Sequence, residues 1–179
     1  MHELGLTRSI IRPDHLLQTP ETFVRTAFPG MSKAVAIVHI APRLGANFTQ
    51  YTLEFEQGGS VPSSSFERFV YVMEGELDCG SGTPLGSSDF CYIPAGEERF
   101  LKALSPAKAA VFEKDYVAVP GINAPAFYSG SEKNIAPVLL GGDPGLEVRC
   151  MVPDEPAFDL AVNTMIYQPG ATLPGIEIH

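Results

Sequence analysis

The chain has 179 residues, of which 45% are hydrophobic and 18% are charged, and its formal net charge is −9. This composition is too apolar for an intrinsically disordered protein, and the length allows one sizeable core or two small ones. The acidic balance argues against nucleic acid and anionic membranes as partners, because most of the surface would repel them. We therefore expect a globular protein that binds a small molecule.

The N-terminal segment, residues 1–17, carries scattered charges and lacks the apolar stretch of a secretory signal. No segment of the sequence is apolar enough over a sufficient length to predict a membrane span. Cys79, Cys91 and Cys150 are an odd number of cysteines without the spacing of a metal site. We expect reduced thiols that act as small, buried apolar side chains in a cytoplasmic protein.

Short β-rich runs dominate the sequence, and 17 Gly and 16 Pro interrupt any helical periodicity. In chain order the predicted strands are Ala34–Ile40, Phe48–Phe55, Glu67–Met73, Glu76–Cys79, Ser88–Ile93, Arg99–Ala103, Ala109–Tyr116, Pro137–Leu140, Glu147–Met151 and Asn163–Tyr167. Glycine- and proline-rich turns separate them, among them a turn at Gly58-Gly59. Strands this short and this regularly spaced predict a sandwich or barrel.

An internal repeat connects the two parts of the chain. A shift of 112 positions aligns TLEFEQGGSVP (52–62) with TMIYQPGATLP (164–174), with identities at Thr52/Thr164, Gly58/Gly170 and Pro62/Pro174. The repeat predicts a duplicated β-domain. We expect an N-terminal extension at 1–34, a first barrel at 35–117, a linker at 118–146, and the start of a second barrel at 147–179. A second copy as long as the first would need roughly fifty more residues, so we expect it to be truncated.

Two segments carry a family resemblance. The run GGSVPSSSFERFVYVMEGEL (58–77), followed by SSDFCYIPAGEERFLKA (87–103), resembles the two motifs of the cupin superfamily. The resemblance implies an all-β bicupin, made of two jelly-roll β-barrels, with the second truncated at its metal motif. Cupins normally offer two His and a Glu in the first motif and a third His in the second.

The first copy departs from this pattern at the ligand positions. The resemblance places Val61, Pro62, Ser63 and Ser65 in the region of the two His, Arg99 at the third His, and Glu67 at the one retained ligand. A divalent ion needs three or four nitrogen or oxygen donors, so we expect this barrel to be metal-free and structural. A carboxylate site made of Glu67, Glu97 and Glu98 is less favoured, because Glu97 and Glu98 follow a turn and are expected to be exposed to solvent.

The second copy ends in Glu177-Ile178-His179. Residues two apart in an extended strand share a face, so Glu177 and His179 are candidate metal ligands pointing into the barrel. A frayed polar tail is the alternative. A carboxylate and an imidazole suit Mn²⁺, or Fe²⁺ or another divalent ion, better than a thiolate-seeking metal.

Further segments narrow the resemblance: APRLGANFTQYTLEFEQGG (41–59), DYVAVPG (115–121), and a second barrel that opens with Pro-Gly-Ala and Glu-x-His. With them, the chain resembles the family of (S)-ureidoglycine aminohydrolases, which are manganese bicupins of purine and allantoin catabolism. The resemblance implies hydrolysis of (S)-ureidoglycine to (S)-ureidoglycolate and ammonia, with the remaining ligands and substrate contacts beyond residue 179. The alternatives are a non-catalytic bicupin that binds a small molecule or is structural, and an oxalate- or dioxygenase-type metal cupin. We expect a homo-oligomer, because cupin-like barrels commonly bury their edges by dimerising and a truncated barrel exposes one.

Three further interpretations concern single residues. His39 lies in an apolar strand and is expected to be a satisfied core or edge imidazole. Phe90, Tyr71 and Tyr92 are expected to pack in the barrel wall. No G-x-S-x-G elbow, Walker loop or dinucleotide fingerprint occurs in the sequence, which argues against those mechanisms.

Overall fold

The computed structural model describes residues 8–12 and 15–173, and this part of the chain is built of strands. The strands are β1 (Ile10–Ile11), β2 (Leu16–Leu17), β3 (Arg25–Thr26), β4 (Ser32–Ile40), β5 (Thr49–Val61), β6 (Glu67–Glu74), β7 (Leu77–Asp78), β8 (Asp89–Ile93), β9 (Leu101–Ala103), β10 (Ala107–Lys114), β11 (Tyr128–Ser131), β12 (Val138–Leu139), β13 (Leu146–Cys150) and β14 (Asn163–Tyr167). Single-turn 3-10 helices lie at Pro20–Thr22, Pro42–Leu44, Glu132–Asn134 and Leu140–Gly142. No helix in the described ranges is long and apolar enough to cross a membrane.

The chain divides into two compact units. The first comprises residues up to Tyr116 together with Ala126–Ser129, and the second comprises Val117–Pro125 together with the residues from Gly130 onward. The prediction of an all-β protein is confirmed. The residues predicted as an N-terminal extension supply β3, which pairs with β4, and those predicted as a linker contain β11 and β12.

The first unit is built on one large sheet with the strand order β11-β8-β6-β10-β5-β4-β3. From β8 to β3 every pairing is antiparallel. β9 pairs with the far end of β5 and also with β7, so the sheet folds over onto itself. This curvature encloses an apolar interior between the two halves of the sheet.

Strict alternation of apolar and polar residues explains which face of the sheet is buried. In β5, Tyr51, Leu53 and Phe55 are buried, and the residues between them are more exposed. Successive side chains of a strand point to opposite faces, so one face lines the interior. The interior residues are Ala34, Ala36, Tyr51, Leu53, Phe55, Val61, Val70, Val72, Leu77, Cys79, Leu85, Cys91, Ile93, Leu101, Ala103, Ala107, Ala109 and Val111.

Gly58-Gly59 does not form the predicted turn, because β5 continues through both residues. The pairing with β4 jumps from Ala34–Phe55 to Ser32–Ser60, so residues 56–59 bulge opposite Lys33. Gly58 has φ +75°, and a Cβ at Gly59 would lie 2.3 Å from the carbonyl oxygen of Lys33. Glycine is therefore required at a bulge across which β5 stays paired with β4 and changes its other neighbour from β10 to β9.

The second unit contains a three-stranded antiparallel sheet with the order β12-β13-β14. Leu146, Val148, Met151 and Val152 are its buried apolar side chains. The Thr164 hydroxyl donates to the Glu132 carboxylate at 2.7 Å, which attaches β14 to the segment that follows β11.

The predicted repeat is present in the strand registers. Residues that pair across neighbouring strands in the first unit have counterparts that also pair in the second unit, 112 positions later. The pair Thr26/Ala36 corresponds to Val138/Val148, Ala34/Phe55 to Leu146/Tyr167, and Ile37/Thr52 to Arg149/Thr164. Gly30 and Gly142 share φ near +80°, as do Gly58 and Gly170 at +75° and +87°. β3-β4-β5 and β12-β13-β14 are therefore the same motif built twice, starting ten residues before the predicted first barrel.

Candidate functional site

The two residues predicted to bind a metal ion, Glu177 and His179, lie outside the described residues. Within residues 8–12 and 15–173, no group of three or more His, Cys, Asp or Glu side chains is placed to hold a metal ion. The polar chemistry that the structure does position lies in and around the barrel of the first unit.

The interior positions of this barrel do not fit a divalent ion. Val61 is 2% exposed and packs into the apolar interior with Leu101. The carbonyl oxygen of Pro62 accepts a hydrogen bond from Arg68 Nη1 at 3.1 Å. A cation at this position would meet methyl groups and a guanidinium instead of several nitrogen and oxygen ligands.

A buried ion pair lies inside the barrel. Arg68 Nη2 is 2.7 Å from Glu113 Oε1, and the two side chains are 5% and 14% exposed. The guanidinium also donates through Nε to the same oxygen at 2.7 Å. Burial raises the pKa of the Tyr51 hydroxyl, which Arg68 lowers and Glu113 raises further. The two charges neutralise each other inside the barrel, which suits a structural role.

The structure corrects the position of Glu67. Arg68 pairs with Glu113 on the face that Val70 and Val72 share with the apolar interior. Glu67 points to the opposite face of the sheet, so it does not occupy an interior ligand position. A one-residue difference in strand position reverses the face of a side chain, and the motif resemblance alone did not distinguish positions 67 and 68.

Glu67 belongs to a second buried polar cluster on that opposite face. The Tyr92 hydroxyl donates to Glu67 Oε2 at 2.8 Å, and Lys114 Nζ lies 3.5 Å from Glu67 Oε1. Tyr128 of β11 stacks on Tyr92 with ring centroids 5.6 Å apart, and Phe90 packs edge-on against Tyr128. The predicted packing role of Tyr92 and Phe90 is confirmed, with β11 as an unpredicted participant.

Arg99 lies at an open groove of roughly 650 Å³. Its Nε binds Glu97 Oε1 at 2.5 Å, its Nη1 donates to the Gly80 carbonyl at 2.7 Å, and its guanidinium sits 3.8 Å above the Phe127 ring. Glu97 and Glu98 both line the groove, whereas Glu67 does not. The three carboxylates considered as one site therefore do not form one.

Two of the three cysteines behave as predicted. Cys79 and Cys91 are fully buried in the apolar interior, whereas Cys150 is exposed, so the prediction of a buried side chain is wrong for Cys150. The cross-strand register explains the difference, since Cys150 is the last residue of β13 and pairs with the exposed Asn163.

The prediction of a satisfied imidazole at His39 is confirmed. Its Nδ1 lies 2.9 Å from Gln18 Oε1 and its Nε2 lies 2.8 Å from Thr52 Oγ1. Phe23 packs against the ring at a centroid distance of 5.3 Å. Burial lowers the pKa of His39. Each ring nitrogen has a partner, which suits a structural histidine.

Sequence reasoning missed the Arg68–Glu113 pair, because its members are 45 positions apart. A local signal was present for one of them. In β6, Arg68 alternates with the apolar Val70 and Val72, which places all three side chains on the same face of a strand. The partner strand that supplies Glu113 is identified only by the sheet order.

Comparison with known proteins gives the fold and a set of relatives. No protein-family model matches the chain. The chain is 28% identical to an (S)-ureidoglycine aminohydrolase of Arabidopsis thaliana, with 98% of this chain and 60% of that protein covered. It is 26% identical to the (S)-ureidoglycine aminohydrolase of Escherichia coli K12, with 99% and 71% covered. The crystal structure of the E. coli protein Ylba superposes with a TM-score of 0.79 at 24% identity, covering 94% of this chain and 70% of that one.

The folded-over antiparallel sheet and the similarity to these proteins define the class of this protein. The chain is an all-β protein with a cupin fold. The relatives named above are (S)-ureidoglycine aminohydrolases, and the chain matches them over nearly its whole length. It spans 58% and 60% of the lengths of two plant relatives.

Proposed function

We propose that this chain belongs to a bicupin hydrolase that acts on (S)-ureidoglycine. Water replaces the amine of the substrate, which releases ammonia and forms (S)-ureidoglycolate. The observation that carries the proposal is the match to curated (S)-ureidoglycine aminohydrolases over 98–99% of the chain. The proposed partner is therefore a small molecule, and we place the activity in the cytoplasm.

The repeated register supports the bicupin part of the proposal. The pairings of β3 with β4 and of β4 with β5 each have a counterpart in β12-β13-β14, and residue pairs such as Ala34/Phe55 and Leu146/Tyr167 coincide at the shift of 112 positions. The last described residue, Leu173, corresponds to Val61, the last residue of β5. In the first unit, Val61 is followed by the segment that corresponds to the metal-binding motif of cupins. In the second unit, the corresponding segment contains Glu177 and His179.

We propose that Glu177 and His179 supply two of the ligands of a Mn²⁺ or Fe²⁺ ion. The donor set fits, because a carboxylate oxygen and an imidazole nitrogen are ligands that these ions accept. A bound divalent ion supplies Lewis acidity and lowers the pKa of water. The first barrel offers Arg68 and apolar side chains at its interior positions, so we assign it the role of a structural partner.

The test is direct. We expect the protein expressed from the full gene, with any codons that follow 179, to retain Mn²⁺ after desalting, as measured by elemental analysis, and to release ammonia from freshly prepared (S)-ureidoglycine in a coupled assay. Reading the gene beyond codon 179 adds an independent check, since another His about four residues further on would complete the ligand motif. Protein without bound Mn²⁺ and without ammonia release would contradict the proposal.

A non-catalytic bicupin is the second candidate. It is favoured by the buried Arg68–Glu113 ion pair, which occupies interior positions of the first barrel. This candidate predicts that the chain binds a small molecule, or another subunit, without consuming (S)-ureidoglycine. An oxalate- or dioxygenase-type cupin would instead consume oxygen or decarboxylate its substrate.

We also propose a homo-oligomer. Val138 on β12 is 64% exposed, and Ile166 and Tyr167 on β14 are 42% and 43% exposed. Exposed apolar side chains on edge strands favour association with another chain. Light scattering coupled to gel filtration measures the number of subunits, and a monomer at micromolar concentration would contradict this proposal.

A further inference from the structure

The sheet of the second unit has a face that corresponds to the interior wall of the first barrel. Three cross-strand residue pairs make up this inner face, and each lies 112 positions after a pair of the first unit. They are Leu146/Tyr167, Val148/Met165 and Cys150/Asn163, which correspond to Ala34/Phe55, Ala36/Leu53 and Val38/Tyr51. All six residues of the first unit line its apolar interior or pack against it.

The inner face changes from apolar to polar at one end. Leu146 and Val148 are buried, whereas Cys150 and Asn163 are exposed. The carboxamide of Asn163 carries an N–H₂ donor and a carbonyl acceptor. Inside the barrel that we propose for the second unit, these polar groups would need a hydrogen-bonding partner. A polar ligand in the barrel is such a partner.

The first unit shows what an inner-face residue at this position reaches. Val111 of β10 is paired with Tyr51 of β5 and with Val70 of β6. Two residues further along β10, Glu113 pairs with Arg68 and forms the buried ion pair. The barrel of the first unit therefore holds its polar groups beside Tyr51. Asn163 takes the position of Tyr51 in the second unit, so its amide faces the corresponding polar region.

A groove of roughly 520 Å³ opens beside this end of the inner face. Cys150 and Asn163 line it, and so do Asp154, Glu155 and Asp159 from the connection between β13 and β14. Among the described residues that line the groove there is no Lys or Arg. An anionic group would be repelled here, so the part of a ligand that lies against Asn163 is neutral or cationic.

We propose that Asn163 binds the ureido group of (S)-ureidoglycine, an inference that rests on the proposed function. The ureido group is neutral, and its carbonyl and N–H groups match the carboxamide. The ligand carbonyl accepts a hydrogen bond from Asn163 Nδ2, and a ligand N–H donates to Asn163 Oδ1. The carboxylate of the substrate then points away from the acidic side chains of the groove. Asn163 orients the substrate and takes no part in bond breaking.

The experiment uses protein expressed from the full gene, with any codons that follow 179. N163A should raise KM for (S)-ureidoglycine and weaken calorimetric binding of the product (S)-ureidoglycolate, each by roughly tenfold, with a smaller change in kcat. N134A removes an exposed amide outside the sheet and should change none of these values. Glycolate, which lacks the ureido group, should bind N163A and wild type equally.

Alkylation of Cys150 tests the site without any substitution. Cys150 pairs with Asn163 across the strands, and it is exposed whereas Cys79 and Cys91 are buried. We therefore expect N-ethylmaleimide to modify Cys150 first, as read by peptide mass spectrometry. Saturating (S)-ureidoglycolate should slow this modification, because a ligand on Asn163 covers its neighbour.

The outcomes separate this inference from the proposed function. Ammonia release with an unchanged KM and product affinity in N163A would overturn the inference and leave the proposed function standing. Modification of Cys150 at the same rate with and without (S)-ureidoglycolate would do the same. Protein that neither releases ammonia nor binds (S)-ureidoglycolate would overturn both.

Discussion

Arg68 and Glu113 form an ion pair inside the barrel of the first unit, with Arg68 Nη2 2.7 Å from Glu113 Oε1. Both side chains are largely removed from water. Loss of one partner leaves the other charge buried without compensation.

Substituting either partner alone should therefore destabilise the first unit. We expect R68M or E113Q to lower the free energy of unfolding by about 3–5 kcal/mol, measured by urea denaturation. R68M/E113L should recover much of that loss, since an apolar pair leaves no isolated charge. R25A is the control, because Arg25 pairs with Glu54 at the surface; an equal loss in R25A would contradict the assigned importance of burial.

The second prediction concerns the hydrogen bond between Tyr92 and Glu67, which is 2.8 Å long and fully buried. Y92F removes the hydroxyl donor and leaves a carboxylate oxygen with one fewer partner. We expect a loss of about 1–3 kcal/mol in unfolding free energy. Y167F removes an exposed hydroxyl and is the matched control. Equal stability of Y92F and wild type would show that water replaces the lost donor.

A third prediction separates steric from conformational requirements at two glycines. Gly75 and Gly82 have φ of +79° and +82°, but a Cβ at Gly75 would lie 2.1 Å from the Pro106 carbonyl oxygen, whereas Gly82 has open space. G82A should cost about 1–3 kcal/mol through backbone strain alone. G75A should cost clearly more, measured by thermal and urea unfolding. Similar values for both variants would argue against the clash.

His39 predicts a dependence of stability on pH. Burial lowers its pKa below the ordinary value of 6.5 in the folded protein, so the unfolded chain binds a proton first as the pH falls. The unfolded state then carries more protons than the native state, and stability rises with pH in this range. We expect the unfolding free energy to decline as the pH falls through 6.5 and to level off below the folded pKa.

H39Q should flatten that part of the pH profile, because it removes the titrating group while keeping an amide to contact Gln18 and Thr52. Urea unfolding at a series of pH values between about 5 and 8 measures the effect. An unchanged slope in H39Q would assign the pH dependence to other groups.

A fifth prediction follows from the proposed function. E177Q and H179A should each weaken metal retention by at least the roughly 10–100-fold that loss of an outer-shell partner causes, with a parallel loss of ammonia release. E76Q alters an exposed carboxylate in the first unit and is the control. Full metal content in both E177Q and H179A would exclude these residues as ligands, whatever the activity.

The sequence allowed the strands with strong alternation to be predicted, because each has one apolar face that decides its position. β4, β6, β8 and β14 agree with the predictions to within about two residues, the usual uncertainty of element ends. β11 was missed, since the run YSGS at 128–131 has no apolar alternation and is ordered by stacking between Tyr128 and Tyr92. The Gly58-Gly59 bulge was predicted as a turn, because glycine composition alone does not distinguish the two.

The candidate metal ligands Glu177 and His179 show the limit of predicting side-chain direction from the alternation of residues along a strand. The prediction that Glu177 and His179 share a face assumes a regular strand. In the first unit, the shift of 112 leads from Glu177 to Ser65, in a connection at 62–66 that is not part of a strand, and from His179 to Glu67, the first residue of β6. Side-chain direction there is set by the path of the connection, which sequence alternation does not encode. The repeat predicts the location of the pair in the chain and leaves its geometry to experiment.

The assignment of Ala126–Ser129 to the first unit has a practical consequence for dissecting the protein. The chain leaves that unit after Tyr116, returns for four residues, and leaves again, so no single cut separates the two units. Ending an expression clone at Tyr116 would remove Phe127 from Arg99 and Tyr128 from Tyr92. Such a fragment would expose the Tyr92 ring to solvent. Low stability or solubility of the fragment would reflect the loss of Ala126–Ser129 and not an inherently unstable barrel.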